Sequence, residues 1–140
     1  AQKVNYTAEH DRWMVTTLHG PLRAEGYQSE SGWKPQTWNR MEILFYVDFP
    51  DDPGPRKTAE KWKDHYGFVK GNFKQVKQLR SRSGFGWDAE NHLVTSTPTL
   101  WEQLTRPQKK PNPWMRWRAT PFPLYDMMFD LVDSIIATGE

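Results

Sequence analysis

Between residues 56 and 82 the chain reads RKTAEKWKDHYGFVKGNFKQVKQLRSR, with apolar positions at steps of four, three, four and three. Trp62, Tyr66, Val69, Phe73 and Val76 therefore share one side of a predicted α-helix. At about 100° per residue, all five fall within about 40° of a single line. Arg56, Lys63, Lys70, Lys74 and Lys77 gather beside that line, at roughly 60–120° from Trp62. One long helix is predicted over Arg56–Arg82, with an aromatic stripe for a core and a cationic stripe for something else. Gly67 and Gly71 lie on its solvent side, where each costs about 1 kcal/mol relative to alanine.

The other elements read around this helix. Thr7 suits an N-cap, Glu9 and Asp11 supply first-turn acids, and Trp13, Met14, Thr17 and Leu18 give an apolar face. Gly20-Pro21 predicts a kink or break there, with residues 22–26 continuing roughly helical. Residues 27–34 (YQSESGWK) have loop composition. Pro35 then opens a second helix carrying Trp38, Met41, Glu42 and Phe45, and PDDPGP (50–55) stops it near Phe49. Residues 83–97 read as a turn that folds Phe85 and Trp87 back onto the helices. Pro98–Leu104 suits a short fourth helix. Residues 121–137 form an amphipathic helix with Leu124, Met127, Met128, Leu131, Val132 and Ile135 inward. The expected fold is all-α and a single domain over 1–140. A three-helix unit covers about 7–82 and a C-terminal extension about 83–137. Trp13, Trp38 and Trp62, one per helix, are the predicted core tryptophans.

Charge changes this picture. Residues 56–82 hold nine Lys/Arg against Glu60 and Asp64, whereas residues 1–55 and 83–140 are each net acidic. A lysine-rich face is often no more than a solvated one. Solvated faces usually mix both signs, and this one hardly does, so a polyanion, with nucleic acid first, is the partner to expect. Arg106, Lys109, Lys110, Arg116 and Arg118 make a second basic patch, interleaved with Trp114 and Trp117. Those two indoles suit a core position or a stacking platform.

The remaining composition narrows the function classes. There is no cysteine, so disulfides and thiol chemistry are excluded. The longest apolar run, Ile43–Val47, is far too short to cross a bilayer, and no signal-peptide pattern appears. The chain begins at Ala1 rather than Met, as a piece of a longer protein would. His10, His19, His65 and His92 are scattered without metal-ligand spacing. SGFGWD contains Gly-x-Gly but lacks the frame of a phosphate-binding loop. No enzyme, cofactor, metal, membrane or small-molecule substrate is expected.

Three tryptophans at intervals of 25 and 24 resemble the one-aromatic-per-helix core of Myb and SANT domains. SGFGWDAENHLVT (83–95), LWEQL (100–104) and PFPLYD (121–126) follow in order. Together they resemble the Myb/SANT-like domain of plants and fungi, related to trihelix factors and to the Myb-like partners of Harbinger-type transposases. The resemblance covers about 7–132 and implies a helix-turn-helix bundle with a long third helix and C-terminal helical additions. It implies duplex DNA as partner, a nuclear location, and a role in transcription regulation or in a transposon-derived protein. In such a reader the third helix supplies base contacts and neighbouring cations hold phosphates. Arg56, Lys57 and Lys61 are then the groove candidates, and Lys63, Lys70, Lys74 and Lys77 the backbone contacts. Lys109, Lys110, Arg116 and Arg118 are the second patch. The other reading is a protein-interaction adaptor that recruits a chromatin or transposase-like partner, through Trp87, Trp101, Trp114 and Trp117.

Overall fold

The computed structural model of the protein describes residues 3–104 and 113–138, with side chains through residue 133. It is mostly helical and divides by packing into two compact units, Ala1–Val69 with Met127–Glu140, and Lys70–Asp126.

In the first unit, α1 spans Ala8–Thr17. Thr7 caps it reciprocally with His10, in the position where a capping box usually holds Glu or Gln. The His10 N–H donates to Thr7 Oγ1 at 3.1 Å, and the Thr7 N–H donates to His10 Nδ1 at 3.1 Å. Where the sequence predicts a kink at Gly20-Pro21, the helix instead widens into a π turn, Leu18–Leu22. The Arg23 N–H reaches back five residues to the Leu18 carbonyl. Pro21 has no N–H to give, so a wider turn absorbs it without breaking the rod. His19 and Arg23, from this turn, both hold Asp130 of α5 (Tyr125–Thr138), at 2.6 and 3.2 Å.

Residues 27–34, expected as a loop, carry a small antiparallel pair, β1 (Gln28–Ser29) and β2 (Gly32–Trp33). Strands of two residues are too short for alternation to show in the sequence. Next comes α2 (Gln36–Asp48), which ends one residue before Phe49 as expected. The core of this unit holds Met14, Leu18 and Leu22, Trp38, Met41 and Phe45, Trp62, Tyr66 and Val69, and Met128 and Leu131. Trp38 and Trp62 are buried as predicted. Trp13 is half-buried: it packs edge-on against Phe45 and donates its indole N–H to Asp48 at 2.8 Å.

Residues 56–58 precede α3, which runs Ala59–Arg80 and is shorter at both ends than the predicted 56–82. Its start is fixed from α2. The Glu42 carboxylate accepts the Ala59 N–H at 2.8 Å and the Arg56 guanidinium at 2.6 Å, as an acid at a helix N-terminus should. Just upstream, Lys57 is pinned twice: its N–H donates to the Tyr46 hydroxyl at 2.8 Å and its Nζ to Asp52 at 2.6 Å. The other Asp52 oxygen meets His10 Nε2 at 2.8 Å. Because Nδ1 is already an acceptor, Nε2 carries the proton and donates. Burial by itself raises the Asp52 carboxyl, but the Lys57 hydrogen bond and charge, with His10, outweigh it and hold its pKa below the usual carboxylate range.

The second unit begins with the last half of α3, whose Phe73, Val76 and Leu79 are buried. The expected turn over 83–97 contains a second hairpin, β3 (Gly86–Asp88) against β4 (Leu93–Thr95), so the fold is helical with two hairpins, not purely α. Asp88 builds the tip by accepting the Glu90 and Asn91 N–H groups. Gly84 has φ +83°, and a Cβ there would strike Leu100. Thr97 caps α4 (Pro98–Gln103). A 3₁₀ helix, Pro113–Arg118, buries Trp117 and ties its indole N–H to Gln75 of α3 at 2.9 Å. Arg80 lies between the rings of Trp87 and Tyr125, at 4.6 and 4.3 Å.

Two outcomes follow for stability. Trp62→Ala should cost about 3–5 kcal/mol in urea unfolding, because the indole is fully enclosed. Trp62→Phe should cost well under half of that, since the buried indole N–H has no acceptor and phenylalanine removes that orphan donor. For Asp52, a lowered folded pKa means a contribution that is fully present above the ordinary carboxylate range and lost as pH falls through the lowered value. Thermal melts from pH 6 to 3 should drop more steeply for the parent than for Asp52→Asn, whose melting point starts lower because a buried ammonium has lost its counter-charge.

Candidate nucleic-acid interface

The cations on α3 owe their exposure to its apolar stripe. Once Trp62, Tyr66, Val69, Phe73 and Val76 face inward, the lysines at about 60–120° from them must face water. Lys61, Lys63, Lys74 and Lys77 are exposed and Lys70 half-exposed. Lys61, Lys63, Lys70 and Lys74 pair with no carboxylate among the described residues. Their charge is available to a partner.

The helix is not uniform along its length. Its first half, Ala59–Val69, holds Lys61 and Lys63 against Glu60 and Asp64, whereas Lys70–Arg80 holds four bases and no acid. A mixed, partly acidic face suits reading base edges, because carboxylates accept from cytosine amino groups as lysines donate to guanine. An acid-free face suits phosphates, which carry charge but no sequence.

Two of the predicted groove residues are elsewhere. Lys57, expected on an exposed helix start, is only 2% exposed and serves Asp52, so its ammonium holds the fold. Spacing alone extends the helix to 56 and with it the basic face; the buried acid that claims Lys57 sits in the PDDPGP loop, which reads as solvated. Arg56 is exposed, but it stacks over Tyr46 at 4.2 Å and is bonded to Glu42. In the second patch, Arg116 and Arg118 are exposed, with Arg116 bonded to Asn72 of α3. Lys109 and Lys110 lie outside the described residues.

The structure also shows what spacing did not. Tyr6 stacks flat on His65 at 3.7 Å and donates its hydroxyl to the Lys61 carbonyl, anchoring the N-terminal arm on α3. Burial, then the neighbouring Tyr46, Asp64 and Asp11, pushes the Tyr6 phenol up to about 12, so it remains a neutral donor. Beyond His65 comes Phe68, 59% exposed. Its signal was present in the sequence: an aromatic about 120° off the core stripe has no place in the core. Of the tryptophans proposed as an anchor patch, Trp101 and Trp117 are buried, which removes half of it. No helix among the described residues is long and apolar enough to cross a membrane.

No curated protein and no solved structure matches the chain. The family model of the Myb/SANT-like DNA-binding domain matches residues 5–104, which include α1, α2, the whole of α3 and the β3–β4 hairpin. With a bundle of that size and an exposed basic third helix, the chain belongs to the Myb/SANT-like DNA-binding domain family.

Proposed function

We propose that the protein is a non-catalytic, duplex-DNA-binding module of a nuclear regulator, of the trihelix-related branch that includes transposon-derived proteins. The mixed first half of α3 enters the major groove, and its basic second half lies along a phosphate strand. The observation that carries this reading is the acid-free run of Lys70, Lys74 and Lys77 on the open side of α3, in a chain that elsewhere is net acidic. Arg116 and Arg118 extend the positive surface within the second unit.

Binding of this kind releases counterions, so the logarithm of the affinity should fall linearly with the logarithm of salt. Changing Lys63, Lys70 and Lys74 together to Gln should flatten that slope by about one unit per lost phosphate contact and weaken binding to all sequences alike. Because these positions are exposed, the melting curve should barely move, each shifting stability by less than about 0.5 kcal/mol. Fluorescence anisotropy with mixed duplex DNA measures the slope. A triple variant that binds like the parent would mean that the lysines are only solvated.

A second reading, an adaptor for a chromatin or transposase-like protein, is favoured by a different feature. Ile43 and Val47 on α2 are 57% and 69% exposed and one turn apart, forming a short apolar ridge. Ile43→Ser with Val47→Ser should abolish capture of such a partner from a nuclear extract while duplex DNA binding persists. Equal capture by parent and variant argues against that ridge.

A further inference from the structure

Most exposed apolar side chains need no explanation, but Phe68 ends an ordered stack. The rings of Tyr6, His65 and Phe68 follow one another, with centroid spacings of 3.7 and 6.0 Å and interplanar angles of 8° and 24°. His65 is held in turn by Asp11 of α1, and Tyr6 by the Lys61 carbonyl. The stack is therefore fixed at its inner end and open at its outer one, where 59% of Phe68 meets water. Next to it, Gly67 is exposed, and a Cβ built there would meet nothing within 4 Å. Nothing among the described residues calls for glycine at that point, which lies about 100° around the helix from the ring.

A partner for this ring must also suit the charges carried by α3. Around the helix Phe68 lies about 20° from Lys61 and about 40° from Asp64, whereas Lys63, Lys70 and Lys74 lie on the other flank, about 120–160° away. On the DNA-binding reading, duplex DNA supplies phosphates for the lysine flank and, in the major groove, an apolar group for an exposed ring: the thymine 5-methyl.

We infer that Phe68 is a specificity-determining residue that reads a thymine methyl in the major groove, as the open end of the Tyr6–His65–Phe68 stack. The inference rests on the DNA-binding reading above, and adds a preference that the lysines cannot supply. Phosphate contacts carry no sequence information, whereas an apolar contact to the methyl separates thymine from the other bases.

The test uses the protein with a duplex selected from a random pool. Each thymine is replaced in turn by uracil, which pairs identically and lacks only the methyl. At one position the parent should lose about fourfold in affinity, the worth of one buried methyl group. Phe68→Ala should bind the thymine and uracil versions of that duplex equally. A parent indifferent to every uracil overturns the inference and leaves the DNA-binding reading intact. So does a Phe68→Ala variant with the parent's discrimination, or a selected site without thymine. A parent that binds no duplex at low salt overturns both. The uracil scan on the parent needs no variant, so a Phe68→Ala protein that folded poorly would not blunt it.

Discussion

Two carboxylates decide where the third helix begins. Glu42 accepts the first free N–H of α3 and draws Arg56 onto α2, while Asp52 takes the Lys57 ammonium inside the first unit. A proline-rich approach such as PDDPGP sets no helix phase by itself; the bonds to Glu42, Tyr46 and Asp52 do. With the start fixed at Ala59, the core positions Trp62, Tyr66 and Val69 fall inward in register, and the lysines fall outward as a consequence. A buried ion pair is weak evidence of stability, because desolvation offsets most of its attraction. Here its value is geometric. Asp52 joins the N-terminus of α1, through His10, to the approach of α3, so the two helices are positioned by one carboxylate.

That placement leaves α3 with two unlike halves. The first half mixes signs and carries the open ring of Phe68; the second half is basic throughout. In DNA recognition the two kinds of contact serve different ends, one selecting sequence and the other supplying most of the affinity. The Tyr6 arm stacks on His65 in the first half and adds no charge there, so under the proposed function it belongs with the sequence-selecting contacts.

Much of this was legible from the residues alone. The proline-rich PDDPGP stretch placed the end of α2 within a residue of where it is observed, and the aromatic stripe of α3 proved buried along its whole length. Family resemblance rested on the three spaced tryptophans and on the segments 83–95, 100–104 and 121–126, of which the last lies outside the region that the family model matches. What could not be read has physical reasons. The hairpins depend on strands of two or three residues, in which no period can develop. Lys57 looked like one more surface cation, because charge counts do not show which acid folds over which base. Trp101 and Trp117 looked available for a partner, since an indole that fills a core and one that awaits a ligand are identical in sequence. Phe68 stood outside the apolar stripe in plain view, and only its stacking on His65 gave that displacement a meaning.

The π turn at Leu18–Leu22 has a consequence for how this helix tolerates changes of length. One residue more than an α-helix needs is stored there, so everything after it is turned by about 100° relative to an uninterrupted rod. That offset brings His19 and Arg23 to Asp130 and sends Leu22 into the core. Removing Pro21 itself would close the turn into ordinary α-helix, because the residue that lacks an N–H would be gone. It would also swing Leu22 toward water and its neighbours away from α5. The shortest deletion here acts as a rotation, and a chain better formed locally would be worse assembled globally.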